Sequence, residues 1–104
     1  VPAETSPGEL RAALTPATAK ALAQLGFTVQ APPGLGRASL YPDADYTAAG
    51  TTFVTDHAAA LAAADVVLRV RKPPAGDIAR MKRGALHLSL LDPFNEKALI
   101  EAFA

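Results

Sequence analysis

The sequence predicts an α/β fold: a doubly wound, flavodoxin- or Rossmann-like parallel sheet with helices on both faces, in a single domain of residues 1–104. Segments typical of strands alternate with segments typical of helices along the chain. The most informative segment, residues 64–71, holds a β-branched apolar run that two prolines end, which is typical of a strand buried on both faces. Glycines and capping residues mark the ends of the helices between the strands.

The first half of the chain carries clear signals for helix ends. Thr15 is suited to cap the first helix and Pro16 to occupy its first position, because the N–H that proline lacks would be unpaired there. Gly26 is expected to end this helix. The predicted elements are a helix from residue 16, a strand of 27–31, a helix of 43–49 and a strand of 51–54. Val1 is interpreted as the last residue of a first strand that begins before it, so the first strand is expected to be truncated.

The second half continues the alternation. Asp56 is placed to cap one helix and Asn95 to cap the final one, where Phe94 and Leu99 are spaced as a hydrophobic staple. The predicted elements are a helix of 57–64, the strand of 64–71, a short helix of 77–82, a strand of 85–91 and a helix from residue 95. Parallel strands joined in this way are expected to have right-handed crossovers.

Composition excludes several classes of protein. The formal net charge is zero, which argues against a nucleic-acid binder with its usual basic excess. There is no cysteine, so neither disulfides nor thiolate chemistry are available. The apolar stretches are too short to span a bilayer. The chain begins abruptly at Val1, and we interpret it as an excerpt of something longer.

Charged residues at the ends of predicted strands are the candidate functional residues. Ligands of open α/β sheets bind outside the carboxyl ends of the strands. Arg71 closes the buried strand, and its planar guanidinium is suited to a carboxylate or phosphate. Arg11 lies in an early loop that should reach the same edge, and Asp92 ends the last strand. The sequence thus predicts an anion- or substrate-facing site of Arg11, Arg71 and Asp92, with ordinary surface and turn-capping roles as the alternatives.

Three other patterns carry less chemistry. Gly34 and Gly36 resemble the start of a dinucleotide fingerprint, but Ser39 replaces the third glycine and Pro42 prevents the helix that a phosphate needs, so a plain tight loop is predicted. Six of the ten basic residues lie between positions 69 and 83 and are interpreted mainly as solvated surface around Asp77. The two histidines lack ligand spacing, so no metal site and no catalytic residue is assigned.

Taken in order, these segments resemble the N-terminal domain of the alanine dehydrogenase and pyridine nucleotide transhydrogenase family. No single segment is very specific, but the ordered set covers nearly the whole chain. The segments that carry the resemblance are residues 1–4, 7–16, 25–29, 34–39, 64–70 and 88–93.

The resemblance implies a doubly wound domain whose first strand lies just before Val1. It also implies a Rossmann domain beyond Ala104 that binds NAD(H), so the cofactor is expected mainly outside this chain and the fragment alone is expected to be inactive. In the alanine dehydrogenases, an arginine at the position of Arg11 and a lysine at that of Arg71 hold the substrate carboxylate, and a histidine at that of Asp92 serves proton transfer. Only Arg11 matches, which favours the transhydrogenase branch.

The transhydrogenase alpha subunit implies hydride transfer between NAD(H) and NADP(H), coupled to proton movement through a separate membrane part. Its partners would be the rest of the alpha subunit, an NADP(H)-binding beta subunit and a second copy of the full domain. The chain itself would be soluble, on the cytoplasmic side of the inner membrane. Two alternatives stay open: an alanine dehydrogenase-like enzyme with an altered site, and a non-catalytic flavodoxin-like binding module.

Overall fold

The computed structural model describes residues 1–90, in which helices and strands alternate as predicted. The predicted final helix from Asn95, its staple of Phe94 and Leu99, and the candidate site residue Asp92 lie outside the described residues. The elements are α1 (Pro16–Gln24), β1 (Gln30–Ala31), α2 (Asp43–Ala48), β2 (Thr52–Phe53), α3 (His57–Ala63), β3 (Val66–Arg71), α4 (Ala75–Arg80) and β4 (Leu86–Leu90), with a short 3₁₀ turn at Arg37–Ser39.

The helix caps follow the sequence signals closely. The side chain of Thr15 accepts a hydrogen bond from the Thr18 amide at the start of α1, and Asp56 accepts one from Ala59 at the start of α3. α4 begins at Ala75, two residues before the predicted start. Pro74 explains the difference, because its restricted backbone, at φ −58° and ψ 145°, leads directly into the first helical turn.

The strands pair in parallel, which confirms the predicted fold class. β1 pairs with β2 through Gln30–Thr52, and β3 pairs with β4 through Val66–Leu86 and the residues that follow. Within residues 1–90, however, these are two two-stranded sheets and not one continuous sheet. β1 is also shorter than predicted, because the amide of Phe27 donates back to the Leu22 carbonyl and belongs to the end of α1.

The apolar interior is divided between the two strand pairs. The first core surrounds Tyr46, whose hydroxyl donates to the carbonyl of Leu14 at 2.6 Å inside the protein. Its buried members are Leu14, Ala19, Val29, Ala31, Leu35 and Tyr46. A second, smaller group consists of Leu61 on α3 and Val67 on β3, both nearly inaccessible to solvent.

The prediction that β3 is buried on both faces is wrong for the described residues. Val67 and Arg69, which alternate along the strand, are buried beneath α3 and α4. On the opposite face Val66 is 37% exposed, and its neighbours Leu86 and Leu88 on β4 are 54% and 51% exposed. The reason is that helices of the described part of the chain cover only one side of this strand pair. None of the helices within residues 1–90 is long and apolar enough to cross a membrane.

Candidate functional site

Arg11 and Arg71 meet at the carboxyl end of β3 on a shared carboxylate, that of Glu9. The Nε of Arg11 donates to Glu9 Oε1 at 2.8 Å, and its Nη2 donates to Oε2 at 2.9 Å. The Nε of Arg71 donates to Oε2 at 2.8 Å. Two of the three residues predicted from the strand-end rule are therefore adjacent, and the third, Asp92, lies outside the described residues.

Glu9 is not among the residues predicted from the sequence, although it is the centre of the arrangement. Its side chain is only 4% exposed, whereas those of Arg11 and Arg71 are 60% and 55% exposed. The hydrogen bonds from Arg11, and then those from Arg71, hold the pKa of Glu9 well below its usual range. Glu9 in turn raises the pKa of Arg11. The only sequence signal is the acid two residues before Arg11 in the same loop.

A second carboxylate from the same loop caps the end of β3. Glu4 accepts hydrogen bonds from the amide of Val70 at 3.0 Å and from that of Arg71 at 2.9 Å. The register between β3 and β4 shifts between Leu68 and Arg71, and such an irregularity leaves amides without partners in the ladder. Glu4 supplies the missing acceptors, so residues 4–11 are fastened to the strand end at several points.

These contacts limit what the strand end can bind. Arg11 and Arg71 carry two positive charges, and Glu9 offsets one of them directly. An external carboxylate or phosphate would meet only the guanidinium N–H groups that Glu9 does not use. The arrangement is thus a closed ion cluster with partly exposed arginine edges.

A buried ion pair links β3 to α4, and the sequence did not predict it. Arg69 Nη2 donates to Asp77 Oδ2 at 2.8 Å, with side chains that are 2% and 7% exposed. His57 Nε2 lies 3.0 Å from the other oxygen of Asp77, and Arg80 lies 3.5 Å from it. Interpreting the basic residues as solvated surface fits Arg80 but is wrong for Arg69. The available signal was the two-residue period that places Arg69 on the same face of the strand as Val67.

The glycine-containing loop is not a nucleotide cradle. The amide of Gly34 already donates to Asp43 Oδ1 at 2.9 Å. A Cβ at Gly36 would lie 2.4 Å from the hydroxyl oxygen of Tyr46, so the space beside this glycine is filled by that ring. Asp56, the candidate ribose acid of the fingerprint, caps α3 instead. The prediction of a plain tight loop agrees with these contacts, and the residues present do not fit a dinucleotide phosphate.

The two histidines contact different groups. His57 contacts Asp77, and His87 on β4 lies beside Ser89, with Nδ1 and Oγ 3.3 Å apart. Burial, and then the nearby charge of Arg69, lowers the pKa of His87. Among residues 1–90, no three histidine or acidic side chains are grouped in a way that could hold a metal ion.

A cleft of about 440 Å³ separates β1 from β3. Its walls are mostly apolar and come from both strand pairs and from α3. Val1 lies in the cleft, and its amine donates to the carbonyl of Gln30 at 2.8 Å. Other lining residues include Phe27, Leu61 and Val67.

Comparison with known proteins identifies relatives along the whole chain. A family model described as "Alanine dehydrogenase/PNT, N-terminal domain" matches residues 1–104. The chain is 36% identical over 107 residues to an NAD(P) transhydrogenase alpha subunit of Rhodospirillum rubrum, in a match that covers 98% of this chain and 28% of that protein. It is 33% identical over 102 residues to the alanine dehydrogenase of Mycobacterium tuberculosis, with the same coverage of each.

Solved structures of both kinds of enzyme share the fold. The transhydrogenase from Sinorhizobium meliloti superposes with a TM-score of 0.89 at 37% identity, covering 97% of this chain and 30% of that one. An L-alanine dehydrogenase superposes with a TM-score of 0.88 at 26% identity, covering 97% and 28%. The chain thus spans less than a third of the length of these relatives.

Proposed function

Because the chain belongs to the family of alanine dehydrogenase and pyridine nucleotide transhydrogenase N-terminal domains, we propose that it is the N-terminal portion of an NAD(P) transhydrogenase alpha subunit. The complete enzyme would transfer hydride between NAD(H) and NADP(H), coupled to proton movement. Transhydrogenase subunits at 35–36% identity support this assignment, as does the transhydrogenase structure. Alanine dehydrogenases follow closely at 31–33%, so the relatives as a group are oxidoreductases.

The observation that carries this choice is the carboxylate of Glu9 between Arg11 and Arg71. The alanine dehydrogenase branch is expected to use these two positions, with lysine at the second, for the carboxylate of an external substrate. Here both guanidinium groups already have a carboxylate partner from their own chain, at 2.8 Å each. A domain that handles no amino-acid substrate needs no vacancy at this point, which favours the transhydrogenase.

The remaining parts of the enzyme would lie outside this chain. Residues 1–104 would form one domain, NAD(H) would bind mainly to a following Rossmann domain, and NADP(H) to a partner beta subunit. A second copy of the full domain and a membrane part on other segments would complete the assembly. The occupied loop of Gly34 and Gly36 supports a nucleotide site elsewhere, because it offers neither a free amide at Gly34 nor space beside Gly36.

An alanine dehydrogenase-like enzyme is the second candidate, and one observation favours it. Arg11 is retained, and Arg71 keeps a positive charge beside it, with more than half of each side chain exposed. In this case Arg11, Arg71 and Asp92 would face the substrate, using the guanidinium N–H groups that Glu9 leaves open.

The two candidates differ in the reactions of the full-length protein. With its beta subunit, a transhydrogenase is expected to reduce an NADP⁺ analogue with NADH, and to show no oxidation of NADH by pyruvate and ammonium. Steady oxidation of NADH by pyruvate and ammonium would identify the alanine dehydrogenase instead. The Arg71→Lys variant is the matched control, because it restores the residue of that branch and should leave the transhydrogenase without pyruvate turnover.

The 104-residue chain by itself is expected neither to turn over substrate nor to bind NAD(H) tightly. Equilibrium dialysis against NADH checks this, with the full-length protein as the positive control. Micromolar binding by residues 1–104 alone would contradict the assignment of the cofactor to the rest of the protein.

A further inference from the structure

The cleft between β1 and β3 has an open backbone edge on its β1 side. The carbonyls of Val29 and Ala31 face β2, since they accept hydrogen bonds from Thr52 and Val54 at 2.9 Å each. Alternate residues of a strand direct their amides and carbonyls to opposite sides. Gln30, which lies between these two residues, therefore directs its backbone groups into the cleft.

β3 presents a matching edge from the other side. The carbonyl of Asp65 accepts a hydrogen bond from the Leu86 amide at 2.9 Å, so Asp65 and the alternate residues after it face β4. Val66, Leu68 and Val70 consequently face away from β4, towards the N-terminal residues. Val70 confirms this direction, because its amide donates to Glu4. Two parallel edge strands thus face each other across one gap.

Residues 1–4 already bridge this gap at its carboxyl end. The amine of Val1 donates to the Gln30 carbonyl at 2.8 Å, which is the bond that a parallel neighbour of β1 would form there. Glu4 bonds the amides of Val70 and Arg71 on the opposite strand. Burial in the cleft, together with the nearby charge of Arg69, lowers the pKa of the Val1 amine from 8.0 to about 6. An uncharged peptide N–H would suit this position better than an ammonium group.

We propose that the cleft takes one extended apolar polypeptide strand that runs parallel to β1 and β3, with its carboxyl end against Val1. The strand joins the two pairs into a single five-stranded sheet in the order β2, β1, added strand, β3, β4. Alongside residues 27–31 its length is about five residues, or roughly 16 Å. β-Branched side chains fit best, because the walls of the cleft include Phe27, Leu61 and Val67. This strand site is independent of which enzyme the longer protein is.

An extension of the chain at Val1 tests this site directly. Five alternating valine and isoleucine residues are placed before Val1, and the control carries proline at the second and fourth of these positions. Proline cannot donate to a ladder on both sides, so the control cannot complete the sheet. We expect the first extension to slow amide hydrogen exchange of Gln30, Val66 and Leu68 at least tenfold, and the control to leave it unchanged.

Three outcomes would overturn the proposal. They are equal protection in both extended chains, protection confined to the outer edges on β2 and β4, and protection that appears only with concentration-dependent dimers. If the extended chain fails to fold, the same five residues are supplied to the 104-residue chain as a separate capped peptide. Protection of the same three amides then supports the site, and its absence at millimolar peptide overturns it.

Discussion

Gly36 lies against the ring of Tyr46, at a point where the backbone and a buried side chain approach closely. A Cβ there would be 2.4 Å from the hydroxyl oxygen of Tyr46 and 2.8 Å from the Cβ of Tyr41. The hydroxyl cannot easily retreat, because it donates to the buried carbonyl of Leu14. Space, and not the left-handed conformation that glycine often provides, therefore requires glycine at this position.

Gly36→Ala is expected to destabilise the folded chain by about 1–3 kcal/mol, the usual cost of overpacking a core. The free energy of unfolding in urea measures the effect. Gly76→Ala is the control, because no heavy atom outside its local surroundings lies within 4 Å of a Cβ there and Gly76 is inside α4. Alanine favours a helix, so the control should be neutral or slightly stabilising. Equal losses at both positions would contradict the role of Tyr46.

At the level of single residues, the sequence predicted end positions better than partners. Arg11 and Arg71 were found because the carboxyl end of a parallel strand is a general location for ligands. Glu9 was not found, since its contact with Arg71 joins residues 62 positions apart and depends on how the loop crosses the sheet. A pattern in one sequence does not contain that distance.

The connection between β3 and α4 depends on one buried pair of charges. Arg69 and Asp77 are nearly inaccessible to solvent, and Asp77 also contacts His57 at the start of α3. The pair therefore fixes two helices on one face of the strand. A buried pair is costly to break because the remaining charge has no partner and no water.

Asp77→Asn is expected to lower the free energy of unfolding by about 3–5 kcal/mol, because it leaves Arg69 charged and buried. Urea denaturation measures it. Arg80→Gln is the matched control: Arg80 also contacts Asp77, but its side chain is 53% exposed, so the loss should stay within about 0.5 kcal/mol. The double variant Arg69→Met with Asp77→Leu removes both charges and should recover most of the loss. A double variant as unstable as Asp77→Asn would contradict this account.

Elements with local end signals were predicted most accurately. α1 and α3 begin where Thr15 and Asp56 cap them, and both caps are hydrogen bonds within three residues. β1 was predicted too long, because the sequence does not show that Phe27 bonds back to the end of α1. The length of a strand depends on its neighbours, which lie far away along the chain.

At the scale of the whole molecule, stability should decrease towards acidic pH in two separate ranges. The pKa of His87 is lowered from 6.5 and that of the Val1 amine from 8.0 to about 6, so the unfolded chain binds their protons more readily. Their contribution is complete above the unfolded values and is lost as the pH falls from those values through the folded ones. The pKa of Glu9 is lowered from 4.5, so its contribution is present above that value and is lost in more acidic solution.

Urea midpoints measured from pH 8 to pH 3 test these two ranges. Glu9→Gln is expected to remove part of the decline below pH 4.5, and His87→Gln part of the decline near pH 6.5. Asp45→Asn on the exposed side of α2 is the control and should follow the parent curve. A Glu9→Gln curve that runs parallel to the parent in acid would show that the ionised state of Glu9 does not stabilise the fold.

The fold class could be predicted from the order of elements, but their assembly could not. Alternating strand and helix signals require parallel pairing, because each helix returns the chain to the same end of the sheet. The number of sheets is different, because it depends on what lies between β1 and β3. The exposed face around Val66, Leu86 and Leu88 likewise depends on what covers it, which the order of elements does not determine.

The position of the two tyrosines has a practical consequence for any optical study of this chain. Tryptophan is absent, and the only tyrosines, Tyr41 and Tyr46, stand edge to face with ring centroids 6.4 Å apart beside the first core. Intrinsic fluorescence therefore observes the half of the molecule around α1 and α2 and is blind to the half around β3 and β4. Circular dichroism of the backbone observes both halves. Melting curves recorded by the two methods on one sample thus show whether the halves unfold as a single cooperative unit.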